Sequence, residues 1–177
     1  MSVRTNLLSG VKVLDLSRVF TGPFCTQVLA DLGAEVVKVE PPKGDDTRRW
    51  GPPFVAEDLS TYFVTLNRNK RSIVLDLKTS KGMATLKKLI AWCDVFVENF
   101  RPGVCERLGL SPQQVWEVNP KVVYVSITGF GSKGPFRDRA SYDIIAQSES
   151  GIMGITGNKS GRIRKASPLG ARRLWWH

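Results

Sequence analysis

Along this 177-residue chain, short apolar runs alternate with amphipathic stretches. Val11-Lys12-Val13-Leu14-Asp15-Leu16 reads as a buried strand. Gly22-Pro23 then opens a helix from Pro23 to about Leu32, because proline suits the first helical turn and Gly33 suits the stop. A second strand, Glu35 to Val39, follows at once. Such a β-α-β unit implies parallel strands and a right-handed crossover. The same reading gives a third strand over Ser72–Asp76, a fourth over Val95–Glu98 and a fifth over Val122–Ile127. Thr79 or Ser80 caps a helix running to about Trp92, with Met83, Leu86, Leu89 and Ile90 on one face. Ser111-Pro112-Gln113-Gln114 is a capped helix start, and that helix stops before Asn119-Pro120. Ser60–Leu66 and Tyr142–Ser148 also read as helical. Residues 41–59, with Pro41-Pro42, Gly44-Asp45-Asp46 and Gly51-Pro52-Pro53, read as a long irregular loop. The alternation predicts an α/β domain, a Rossmann-like parallel sheet with helices on both faces.

Composition narrows what such a domain does. No apolar run reaches about 18 residues, so no membrane span is expected. The lone histidine is the last residue, His177, which makes a Ser-His-Asp triad or an ordinary zinc site improbable. The net charge is +10, from 26 Lys and Arg against 16 Asp and Glu. Five of those cations follow Gly161, where there is no acid, so residues 1–161 are only mildly basic. That favours an anionic small molecule over a nucleic-acid stripe. Cys25, Cys93 and Cys105 are odd in number, widely spaced and without a C-x-x-C pair, which points to free, packed thiols in a reducing compartment. Met1–Leu8 carries one arginine and is neither a secretory signal nor a full transit peptide.

In a doubly wound sheet, ligands bind beyond the carboxyl ends of the strands. The residues to inspect are therefore 17–23, 40–49, 76–78, 99–107 and 128–133. Ser17-Arg18-Val19-Phe20-Thr21-Gly22-Pro23 has a single glycine and lacks the G-x-G-x-x-G of a dinucleotide site. Glu40 sits where such folds carry a ribose-binding acid, but without the glycine pattern it reads as a solvated strand-end carboxylate. Asn69-Lys70-Arg71, Lys78, Arg101 and Arg107 are cations able to bind phosphate, or else a solvated basic surface. Glu98-Asn99-Phe100-Arg101-Pro102-Gly103 sets an aromatic ring beside a cation at a strand end. Gly129 to Pro135 is a glycine-rich loop after the fifth strand. Residues 162–177, ending Arg172-Arg173-Leu174-Trp175-Trp176-His177, have neither period nor acid. They read as a divergent or frame-shifted tail, with a basic aromatic anchor as the alternative.

Several of these segments together resemble the class III CoA-transferases. They are Leu14 to Val19, Thr21-Gly22-Pro23, Leu32 to Glu40, Gly44 to Arg48, Asn67 to Ser72, Leu75 to Lys78, Val97 to Gly103, Ile127 to Gly131, and Tyr142-Asp143. The resemblance covers about Leu7 to Gly161, and Gly134 to Gly157 is most similar to the mitochondrial succinyl-CoA:glutarate branch. It implies transfer of coenzyme A from an acyl-CoA to a dicarboxylic acid, with the CoA thioester as substrate and no permanently bound cofactor. It also implies an interlocked homodimer, a mitochondrial location (otherwise cytoplasmic), and no nucleic-acid or membrane partner. Carried over, Val19 and Thr21 flank the CoA access loop. Leu75, Asp76, Leu77 and Lys78 lie along adenine and ribose, and Asn99, Phe100 and Arg101 line the nucleotide. Arg107 meets a phosphate and Tyr142 approaches the pantetheine arm. Pro41 stands where some members carry a cation.

The family's aspartate nucleophile is expected shortly after Gly154–Gly157, yet no aspartate follows Asp143. The expectation is therefore a truncated chain. Residues 1–161 form the N-terminal part of the CoA-binding domain, 162–177 a disordered tail, and the chain lacks a catalytic residue and a metal site. Two other readings remain open at this point: a non-catalytic nucleotide-binding or interaction module, and a tail-anchored nucleic-acid or membrane protein.

Overall fold

The computed structural model describes residues 6–156, so the tail expected over 162–177 lies outside the described residues. The chain divides into two compact units, Met1–Ile127 and Thr128–His177.

The first unit is built on a five-stranded sheet of β1 (Lys12–Asp15), β2 (Glu35–Glu40), β5 (Lys70–Val74), β6 (Val95–Glu98) and β7 (Val123–Ser126). Its order is β5-β2-β1-β6-β7, and every pairing is parallel. Chain order thus runs outward from β1 in one direction and then in the other, which puts the topological switch point between β1 and β6. The expected strands all form. The third begins two residues earlier than the β-branched run indicated, because Lys70 pairs in register with Val36.

Helix α1 (Thr21–Asp31) crosses from β1 to β2, and α3 (Ser80–Trp92) and α5 (Pro112–Val118) serve the later crossovers. Thr79 caps α3 by accepting the Gly82 amide, and Ser111 with Gln114 forms the reciprocal capping box of α5. One short helix, α4 (Val104–Leu108), is absent from the sequence pattern. It is one turn long, and Gly103 and Gly109 bracket it in left-handed conformations. The stretch 41–59 is not an irregular loop. It holds a 3-10 turn over Asp46–Arg49 and a hairpin of β3 (Phe54–Ala56) and β4 (Leu59–Ser60) that leads into α2 (Thr61–Asn67). Asp45 starts the 3-10 turn by accepting the Thr47 amide at 3.0 Å.

Side chains alternate across a strand, and the register sorts them onto two faces. Leu14 lies opposite both Val37 and Phe96. With Leu16 and Val39 they pack on Leu86, Ile90, Cys105, Leu110 and Val115 of the α3, α4 and α5 side. On the other face Val13, Val36 and Val97 meet Ala30 and Ala34 around α1. Burial pushes the Cys93 and Cys105 thiols up to about 12, as packed, unreactive sulfurs should be.

The second unit carries α6 (Asp143–Glu149) and α7 (Ile152–Ile155) behind the glycine-rich loop. Arg139 lies over both the Phe130 and Phe136 rings, 4.9 and 5.0 Å from their centroids, and pairs with Glu149 at 2.8 Å.

Candidate coenzyme A site at the sheet switch point

The backbone leaving β1 is held by side chains from three sources. The Asp15 carboxylate accepts the Ser17 amide at 2.9 Å and also the Ser17 hydroxyl. The Ser17 carbonyl accepts from the Lys38 ammonium at 2.7 Å. Across the switch point, the Asn99 side-chain amide engages Arg18 twice. Its Oδ1 accepts the Arg18 N–H at 2.8 Å, and its Nδ2 donates to the Arg18 carbonyl at 2.8 Å. The Arg18 guanidinium lies 5.4 Å from the centroid of Phe100, whose amide donates to the buried Glu98 carboxylate at 2.8 Å. Gly22 makes this approach possible: a Cβ there would stand 2.2 Å from Ser17 Cβ and 3.3 Å from Asn99 Cγ. Val19 emerges from the clamp with φ +67°, a left-handed conformation that β-branched residues avoid.

Val19, Thr21, Asn99 and Phe100 are thus brought together at the carboxyl ends of β1 and β6, with Thr21 exposed at the start of α1. Arg101 follows on the same turn and is exposed. Arg107 is exposed on α4 and carries no ion pair among the described residues. Leu75, Asp76, Leu77 and Lys78 follow β5, two strands from β1 and so about 10 Å to the side. Leu75 and Leu77 pack against the α3 core, whereas Lys78 is exposed and its amide donates to the Asp76 carboxylate at 3.0 Å. Gly82 lets α3 begin against that turn, since a Cβ would come within 2.0 Å of the Asp76 carbonyl oxygen. Tyr142 belongs to the second unit, where it is exposed immediately before α6.

A layer of charge behind these strand ends was not visible in the sequence. Asp15, Lys38, Glu40 and Asp45 are each at most 2% exposed, and the Lys70 side chain is 1% exposed. Lys70 pairs with Asp15 at 3.1 Å and donates to the Pro23 carbonyl and to Thr26 and Asn67. Lys38 pairs with Asp45 at 3.0 Å. Two readings of the sequence are corrected here. Glu40 is not a solvated strand end: Arg48 grips it with two bonds of 2.7 Å, Ser72 donates to it, and the Asp45 amide adds a fourth bond at 2.8 Å. Burial alone would raise its carboxyl, but these hydrogen bonds prevail and hold it down at about 2. Nor is Lys70 free to take phosphate. Burial pushes Lys70 down to about 8 against the pull of Asp15, whereas Arg71 stays exposed in a surface pair with Glu35 at 3.1 Å. Lys43 and Arg48, with Glu40 and Val74, line a cavity of about 440 Å³ at the carboxyl ends of β2 and β5.

The family profile of CoA-transferase family III matches residues 8–170. The chain belongs to CoA-transferase family III. The match extends nine residues past Gly161, where the sequence pattern breaks. A family member named succinyl-CoA:glutarate CoA-transferase, from Homo sapiens, is 54% identical over 155 residues, covering 87% of this chain and 35% of its own. A succinate–glutarate CoA-transferase of Agrobacterium fabrum is 50% identical over 165 residues, covering 90% and 41%. A crystal structure of a CAIB/BAIF family protein from Brucella suis superposes with a TM-score of 0.85 at 45% identity, covering 90% of this chain and 43% of that one. The chain spans about two fifths of the length of these relatives. Among the described residues no helix is long and apolar enough to cross a membrane, and no group of three or more His, Cys, Asp or Glu is placed to hold a metal ion.

Proposed function

We propose that this chain carries the coenzyme A binding part of an enzyme that moves CoA from succinyl-CoA to a dicarboxylic acid such as glutarate. The observation that supports this most is the switch-point clamp, in which Asn99 holds Arg18 and thereby fixes a crevice at the carboxyl ends of β1 and β6. In this reading Val19 and Thr21 flank the opening, and Asn99, Phe100 and Arg101 line the nucleotide. Arg107, an exposed cation with no competing carboxylate among the described residues, takes a phosphate through charge-assisted bonds. Leu75–Lys78 border the adenine and ribose, and Tyr142 meets the pantetheine arm.

The exchange itself needs a carboxylate nucleophile. It attacks the thioester carbon and expels CoA thiolate, giving an acyl anhydride. The thiolate then attacks the aspartyl carbonyl, giving an aspartyl-CoA thioester and the free acid, and the second acid resolves that thioester. With no aspartate after Asp143, these 177 residues taken alone bind CoA without turning it over. The homodimer and the mitochondrial location belong to the same proposal.

Calorimetric titration of the chain with free CoA tests it. Binding should weaken by about 1.5–3 kcal/mol in Arg107→Ala, the magnitude of a lost charge-assisted bond. No heat and no thermal stabilisation at saturating CoA would overturn the proposal. Acyl exchange by the chain alone would overturn the placement of the nucleophile.

A further inference from the structure

We infer that Lys38 is a positioning residue for the CoA crevice: its buried ammonium, held by Asp45, fixes the Ser17 carbonyl and so sets the backbone from Ser17 to Val19 in its ligand-ready shape. The inference rests on the functional reading above and extends it to a buried residue outside the proposed contact set.

A lysine is almost never fully buried unless it is paired, and a buried pair gives little net stability because desolvation offsets the attraction. Stability alone therefore leaves Lys38 unexplained, and its contacts point elsewhere. The ammonium donates to the Ser17 carbonyl at 2.7 Å and lies 3.0 Å from Asp45 Oδ2. That oxygen makes no aligned hydrogen bond among the described residues, so charge rather than a directed bond holds the lysine in place. Asp45 is itself anchored, since its other oxygen accepts the Thr47 amide and hydroxyl at 3.0 and 2.7 Å.

The target of Lys38 is what gives the arrangement meaning. Residues 17 and 18 have four backbone hydrogen-bonding groups, and side chains satisfy all four. Asp15 takes the first amide, Lys38 the first carbonyl, and Asn99 both groups of Arg18. The next residue, Val19, has φ +67°. A strained dihedral of this kind persists only where its surroundings over-determine it. Lys38 supplies the part of that constraint that comes from β2, and Asn99 supplies the part from beyond β6.

The test uses the full 177-residue chain. In Lys38→Met/Asp45→Asn both charges are gone, so no lone buried ion is left behind. This variant should fold, shift the amide resonances of Arg18 and Val19, and bind CoA about tenfold more weakly, because apparent affinity falls with the fraction of chains whose loop is competent. Asp45→Asn alone removes the charge that holds Lys38 in place, so it should also weaken CoA binding and move the Arg18 and Val19 amides, and unmoved amides in it would overturn the part assigned to Asp45. Trp116→Ala, which removes a bond to the Val122 carbonyl at the amino end of β7, should lose stability while its affinity and loop resonances stay as in the parent. Unchanged affinity in the double variant would overturn the inference, and so would weakened affinity with unmoved loop amides. Failure of the parent chain to bind CoA would defeat the functional reading instead, and the loop amides of the double variant would then decide by themselves whether Lys38 shapes this backbone.

Discussion

Toward α3 and α5 the sheet presents Leu14, Val37 and Phe96. Toward α1, at the carboxyl ends of the same strands, it presents Asp15, Lys38 and Glu40. Both faces are closed to water, yet they answer different demands. The apolar face gains free energy from every methylene it buries and asks only for volume and shape. The charged face gains little net energy, but each of its bonds has a direction, and those directions meet on the Ser17 carbonyl, the Glu40 carboxylate and the start of α1. Adhesion thus fills the α3 side and the inner part of the α1 side, and aim is confined to the carboxyl ends of the strands on the α1 side.

The largest test of that division compares single truncations with their repair. Phe96→Ala should cost about 3–5 kcal/mol, because the cavity cannot fully collapse. Lys70→Met should cost about as much, since it leaves the Asp15 carboxylate buried without its cation. The faces should then diverge. Adding Asp15→Asn to Lys70→Met should recover a large part of the loss, whereas no second substitution on the apolar face refills the space of a phenyl ring. Urea denaturation of the four chains measures this, and an unrepaired double variant would show that the charged face also works chiefly as adhesive.

Next in size is the acid limb of the stability profile. The Glu40 carboxyl is held at about 2, below its ordinary 4.5. A depressed carboxyl stabilises the fold fully above the unfolded value, and that contribution is lost as pH falls from about 4.5 toward 2. The total is roughly 3 kcal/mol. Glu40→Gln should flatten this part of the profile and leave the region above pH 5 parallel to the parent's. A smaller effect is expected from Asn99→Ala, which removes two bonds across the switch point and should cost about 1–3 kcal/mol. The smallest is Arg49→Ala. Its pair with Asp58 joins side chains 62% and 64% exposed, and its loss should stay within about 0.5 kcal/mol.

The apolar face is the half that can be read from residues in order. Leu14-Asp15-Leu16 and Val36-Val37 announce strands, Val95–Glu98 falls where its β-branched run places it, and Ser111 with Gln114 marks a helix start that forms as written. These signals are local, since period and caps act within a few residues. The charged face is invisible by the same logic. Lys38 in Glu35-Val36-Val37-Lys38-Val39-Glu40 looks like the wet side of a half-exposed strand, and nothing nearby reveals that Ser17 and Asp45 will close on it. The Lys70–Asp15 pair spans 55 residues of sequence. Of the candidate site, the residues after β1 and β6 were legible as strand-end positions and through the family resemblance. The clamp that shapes them depends on contacts over 81 residues, which no window along the chain contains.

Val19 carries one more consequence. A valine at φ +67° has a roomier basin at negative φ, lower by about 1–3 kcal/mol, and only its neighbours' tethers keep it from falling there. A segment poised in this way does not loosen by degrees. When a tether is cut it should snap to a second, well-defined geometry. The signature would be a duplicate set of signals for a few residues around 19, exchanging with the first, while the rest of the sheet reports a single state.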